Sequence, residues 1–166
     1  NFRENNVTNG KVTVDCALQQ LVVTDNGTGM EFDQLEKALK AGYSSKNKYD
    51  ELGLFGIGFN VACARLGRKA IVWTKTISDK NWIQVEIDIN SLIKQGSFLV
   101  QPKIVEINTP HKAGTIVAIN LHKDHLVNFE RIKYMESISK ELGKAYSFLL
   151  RTSVPGLSGD VSGLKR

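Results

Sequence analysis

The chain has 166 residues, of which 42% are hydrophobic and 23% charged, with a formal net charge of +5. Length and composition suit one soluble globular domain with a substantial core. They exclude a spanning helix, because no apolar run nears the roughly 20 residues a bilayer requires. They exclude a disulfide framework too, because the only cysteines, Cys16 and Cys63, have no CxxC spacing.

In chain order, Lys11 to Asp15 alternates around Val12 and Val14, the period of a strand. Leu21 to Thr24 is a β-branched run that stops at Asp25-Asn26-Gly27, a turn signal. The two runs predict an antiparallel hairpin turning near Leu18 to Gln20. Phe32, Leu35 and Leu39 recur at helical spacing, which predicts a helix over 31–41. A polar loop, 42–51, leads into Gly53-Leu54-Phe55-Gly56-Ile57-Gly58. Phe59, Ala62, Cys63 and Leu66 then predict a helix, with Gly67 as its C-cap. Strands are expected at 70–76, 82–89, 100–107 and 115–121, with a turn at Thr109 to Gly114. A long amphipathic helix is expected over 129–150. The whole reads as α+β: a mostly antiparallel, two-layer arrangement with helices on one face of the sheet.

Both cysteines stand among apolar residues and are expected to be buried thiols, consistent with a reducing interior. Residue 1 is Asn, and 153–166 is rich in Gly and Ser around Pro155. These ends read as a piece of a longer protein, with a domain over 1–152 and a linker or the start of a further segment over 153–166. The positive charge mildly favours anionic partners, nucleotide or nucleic acid among them.

Two segments carry chemistry. Asp25-Asn26-Gly27-Thr28-Gly29-Met30 puts a carboxylate at the end of a hydrophobic strand, followed by two glycines. That carboxylate can accept a hydrogen bond from an amino group on a flat heterocycle, and the glycines let backbone lie against a ligand. An Asp-Asn-Gly turn with no ligand explains the same residues, and Met30 suits either a base or the core. The segment ending in Gly58 opens a helix, where free N–H groups behind glycines form an anion cradle. A loop with no ligand is the plain alternative. The Walker pattern is absent, and GxGxxG is matched only at Gly56-Ile57-Gly58. Lys46, after Ser44-Ser45, can reach a phosphate as a point charge. Gly114-Thr115 opens a late strand, where a hydroxyl can bond a base directly or through water.

Taken in order, these four features resemble the superfamily of gyrase, heat-shock chaperone, histidine-kinase and MutL ATPases (GHKL) over about residues 11–150. Ser44-Ser45-Lys46, Gly53 to Asn60 and Arg65 to Lys75 look most like its microrchidia (MORC) branch, with MutL next. The resemblance implies the Bergerat ATP-binding fold, here without its first helix. It implies ATP and Mg²⁺ as ligands, with Asp25 on the adenine amino group, Gly29 admitting the base and Met30 packing on it. Gly53, Gly56 and Gly58 would wrap the triphosphate as a lid, with the N–H groups of Ile57 to Phe59. Lys46 would meet the terminal phosphate and Thr115 would complete the adenine set. Gly27, Ser45 and Phe55 belong to the same binding set.

One departure stands out. The superfamily carries a Glu as general base and, four residues on, an Asn for Mg²⁺, on a helix before the first glycine motif. Residues 1–24 contain no such pair: Glu4 has Thr8 at that spacing. Asn1 lies at a plausible distance to be the metal ligand, but the bulky Phe2 and Arg3 follow it. The preferred expectation is that Asn1 to Asn6 is the tail of that helix, with base and metal ligand upstream. Hydrolysis is then expected of the full-length protein and weak or absent in this chain. A homodimer formed on ATP, DNA or protein clients reached through other domains, no membrane, and an intracellular, cytoplasmic or nuclear, site complete the expectation. The alternatives are a nucleotide sensor or scaffold that does not hydrolyse, and a MutL-like DNA-associated ATPase. A histidine kinase fits less well, because His111, His122 and His125 lie around a late strand rather than on a dimerising helix.

Overall fold

The computed structural model describes residues 10–15, 17–39, 58–95, 101–129 and 131–151. Its strands are β1 (Gly10–Asp15), β2 (Gln20–Asp25), β3 (Lys69–Lys75), β4 (Trp82–Asp88), β5 (Lys103–Val105) and β6 (Gly114–Asn120). Its helices are α1 (Phe32–Leu39), α2 (Gly58–Leu66), α3 (Ile89–Gln95), α4 (Lys123–Phe129) and α5 (Ile132–Arg151). By contacts the chain forms two compact units, Asn1–His125 and Leu126–Arg166.

The first unit is a six-stranded sheet in the order β1-β2-β6-β3-β4-β5. Every pairing is antiparallel, so the expected α+β class stands. The expected hairpin is β1–β2, turning through Gln19 at φ +54°. β6, late in sequence, inserts between β2 and β3 and becomes the sheet's centre.

Alternation decides which residues meet the helices. Val72 on β3 stands opposite Val85 on β4 and Val117 on β6. Val72 and Val85 pack with Leu35 and Leu39 of α1 in one buried cluster, with Met30, Phe59 and Val117 against it. Cys63 of α2 packs with Ala70 and Ile119 in a second. Phe59 and Val117 touch both clusters, so the two are contiguous. Burial pushes the Cys63 thiol up to about 11, which makes it a core residue and not a nucleophile.

Three sequence expectations need correction. Gly67 does follow α2, but the residue with positive φ there is Arg68, at +66°. Gly67 is demanded by crowding instead: a Cβ would stand 1.4 Å from the Asn120 carbonyl oxygen. The strand expected over 100–107 is only Lys103–Val105. Two short helices, α3 and α4, were not anticipated. Asp88 starts α3 by accepting the N–H groups of Asn90 and Ser91 at 3.0 and 3.2 Å, a side-chain cap. The Ser91 N–H, with Lys69 nearby, holds that carboxyl below its usual range.

In the second unit, the expected long helix is α5. Its start is set by Tyr134 and Met135 N–H groups donating to the Arg131 carbonyl. Glu141 and Lys144 pair along it at 2.7 Å. Asn1 to Asn6, Cys16 and 153–166 lie outside the described residues.

Candidate functional site

The site is built at the end of the sheet where β2 stops and β6 begins. Asp25 stands opposite Thr115, and Thr115 stands opposite Thr74. The three lie in one cross-strand row, on the face that α1 and α2 cover, because residues directly opposite share a face. The expected partners Asp25 and Thr115, 90 positions apart in sequence, are thus immediate neighbours.

Asp25 is half-buried, and its Oδ1 accepts the Gly27 N–H at 2.8 Å. This Asx turn fixes the carboxylate and leaves Oδ2 as an acceptor. Gly27 itself is buried. The two alternatives for this segment are therefore not exclusive: the turn exists, and it orients the carboxylate.

Gly29 lies at φ +70°, and a Cβ there would stand 1.9 Å from the Lys75 carbonyl oxygen. Gly114 lies at φ +135°, and its Cβ would stand 2.2 Å from the Asp25 carbonyl oxygen. Both glycines let backbone approach backbone. Gly29 draws the loop after β2 onto the end of β3, and Gly114 draws the start of β6 onto the end of β2. Met30 packs against the Leu35 cluster, which places it both at the end of the motif and in the core.

The second glycine segment is described only from Gly58, which opens α2. Gly58 is exposed, and a Cβ there would meet nothing within 4 Å. Phe59 turns its ring into the core, against the same cluster as Met30. This shared packing brings the start of α2 towards the Asp25 motif. The side-chain amide of Asn60 donates to the carbonyl of Leu39 at 3.0 Å, tying the start of α2 to the end of α1. Ser45, Lys46, Gly53, Phe55, Gly56 and Ile57 lie outside the described residues.

Sequence reading missed Thr74. It is fully buried, accepts the Met30 N–H at 2.8 Å and donates to the Gly114 carbonyl at 3.2 Å. A Thr in a β-branched strand looks ordinary, and only the register shows that it shares a row with Asp25. Among the described residues no three His, Cys, Asp or Glu side chains cluster as a metal site. None of those residues forms a carboxylate set fitted to Mg²⁺. No described helix is long and apolar enough to cross a membrane.

Comparison with known proteins agrees with this fold. Residues 2–123 match the family model described as histidine kinase-, DNA gyrase B- and HSP90-like ATPase. The chain is similar to the mouse MORC family CW-type zinc finger protein 3, 34% identical over 116 residues. That match covers 68% of this chain and 11% of the relative. It is also similar to Protein MICRORCHIDIA 3 and Protein MICRORCHIDIA 1 of Arabidopsis thaliana, 43% and 39% identical over 56 residues. Each of those covers 34% of this chain, and 10% and 9% of the relative. The chain therefore spans about a tenth of the length of the curated relatives it matches.

Proposed function

This chain belongs to the histidine kinase-, DNA gyrase B- and HSP90-like ATPase family, in its MORC-like branch, and we propose that it binds ATP with adenine against Asp25 and phosphates at the start of α2. The observation that carries the reading is the row Asp25–Thr115–Thr74, with the Asx turn holding the Asp25 carboxylate in place. An oriented carboxylate beside a threonine hydroxyl offers an acceptor to the adenine amino group and a donor to its ring nitrogens. Guanine presents a carbonyl where adenine presents the amino group, so the carboxylate would repel it.

Gly58 supports the phosphate half. Gly58 is the first residue of α2, outside the helix interior where glycine costs about 0.5–1 kcal/mol relative to alanine. At Gly29, Gly67 and Gly114 a crowding backbone atom accounts for the residue, and at Gly58 no atom among the described residues does. An anion lying against the first N–H groups of α2 would account for it. Lys46, Ser45, Gly53, Phe55, Gly56 and Ile57 are proposed to complete the triphosphate lid, as the sequence implies.

Mg²⁺ enters as the ion that accompanies ATP, supplying charge neutralisation at the phosphates. No step is assigned to it. This chain is proposed to recognise nucleotide and to hydrolyse it weakly or not at all. ATP binding is proposed to be coupled to dimerisation or clamp closure, inside the cell, with DNA or protein as clients.

The test is Asp25→Asn. Asn keeps an oxygen for the Gly27 N–H but replaces Oδ2 with an amino donor, which faces adenine donor to donor. ATP affinity should fall by about ten- to a hundredfold, the cost of one unpaired buried polar group. Calorimetric titration with ATP checks it, and wild-type affinity in the variant would sink the adenine assignment.

A further inference from the structure

Thr74 has a role that none of the motifs assigns. It is the only polar residue among the fully buried described ones, at 0% exposure. A threonine hydroxyl carries one donor hydrogen and two acceptor lone pairs. Here it accepts from Met30 and donates to Gly114. Those two partners lie 84 positions apart and flank the Asp25 carboxylate. Met30 ends the first glycine motif, and Gly114 immediately precedes Thr115.

Both segments are also wedged on glycines, Gly29 against Lys75 and Gly114 against Asp25. Steric wedges limit how close two backbones come but leave them free to slide. A hydroxyl with two directional bonds fixes where they stop.

We propose that Thr74 is a positioning residue: its hydroxyl sets Met30 and Gly114–Thr115 relative to Asp25 and so sets the preference for adenine over guanine. The proposal rests on the ATP reading above. Thr74 touches no nucleotide in it. It acts through Met30, which would pack on the base, and Thr115, which would share the base with Asp25. Removing the hydroxyl frees a buried N–H and a buried carbonyl at the two walls of the pocket. The walls then shift to find partners, and the base loses registry with the carboxylate.

Two variants test this in the full chain, with ATP and GTP as probes and thermal melting as the control for folding. Thr74→Val keeps the shape and loses the hydroxyl. Its ATP affinity should drop by about tenfold, from one lost buried hydrogen-bond pair, while GTP affinity stays near wild type. Thr74→Ser keeps the hydroxyl and loses a buried methyl. It should melt lower yet hold the wild-type ratio of ATP to GTP affinity within about twofold.

A purely structural residue would move both nucleotides together and follow the melting temperature. The inference is overturned if Thr74→Val, folded, keeps the wild-type ratio, or if Thr74→Ser loses it. Should Thr74→Val fail to fold, the Ser ratio alone decides. A wild-type chain with no preference for ATP removes the Asp25 reading, and this inference with it. A wild type that prefers ATP beside an insensitive Thr74→Val removes this inference alone.

Discussion

The two glycine segments are built on opposite terms. At the first, Gly29 sits where an added carbon would stand 1.9 Å from a carbonyl oxygen, and Gly114, at the start of β6 beside it, where one would stand 2.2 Å away, both at positive φ. In the second, Gly58 opens a helix, and among the described residues no atom would stand within 4 Å of an added carbon. One end of the candidate site is thus fixed by the protein against itself, and the other, at Gly58, is exposed. Glycine is read too simply when it is read as ligand contact: the glycines of the first motif serve the fold first. Emptiness alone is no mark of a site either, since Gly143 in α5 is equally open. What separates Gly58 is its position at the first turn of α2, where N–H groups have no helical partner.

Two substitutions break the comparison into its halves. The largest effect on the fold should come from Gly29→Ala or Gly114→Ala. Each adds a carbon against backbone and asks an L residue to hold positive φ. A loss of about 3 kcal/mol or more is expected, because neither carbonyl can yield without moving a strand. Urea unfolding measures it, and a near-wild-type midpoint would show that these backbones can part. Gly58→Leu should do the reverse. Its Cβ meets no atom of the described residues within 4 Å, so stability should stay within about 0.5 kcal/mol. ATP affinity should fall at least about tenfold, since the cradle is filled. Parallel melting and nucleotide titration separate the two, and unchanged ATP affinity would remove α2 from the site.

Much of this fold is written in local pattern. Leu35 and Leu39 mark α1 and are both buried, while Val12 and Val14 mark β1 and Leu21 to Thr24 mark β2 by composition and period alone, since no residue of either strand is buried. The helices α3 and α4 are seven residues each, too short for a period to emerge. A cap such as Asp88 was the available signal for α3. Gly67 was assigned to the right helix end for the wrong reason: the crowding comes from Asn120, remote in sequence.

The same division holds for the site. Asp25 and Thr115 are visible as motif residues because each lies within two residues of a glycine. Thr74 sits in a strand of alternating burial and carries no local mark. Its proposed role follows from the β3–β6 register, which no single segment encodes. Long-range pairing is where reading from sequence stops, and it is also what places 25, 74 and 115 in one row.

The central claim is that ATP lies between the Asp25–Thr115 row and the start of α2. Amide nitrogen–proton spectra of the chain, recorded with and without ATP, test it most directly. Adding ATP should shift the Gly27, Gly29, Gly58, Phe59 and Thr115 amides, while Gly67 and Arg68 at the far end of α2 stay in place. Shifts confined to Gly67 and Arg68, with Gly58 and Thr115 unmoved, would contradict it.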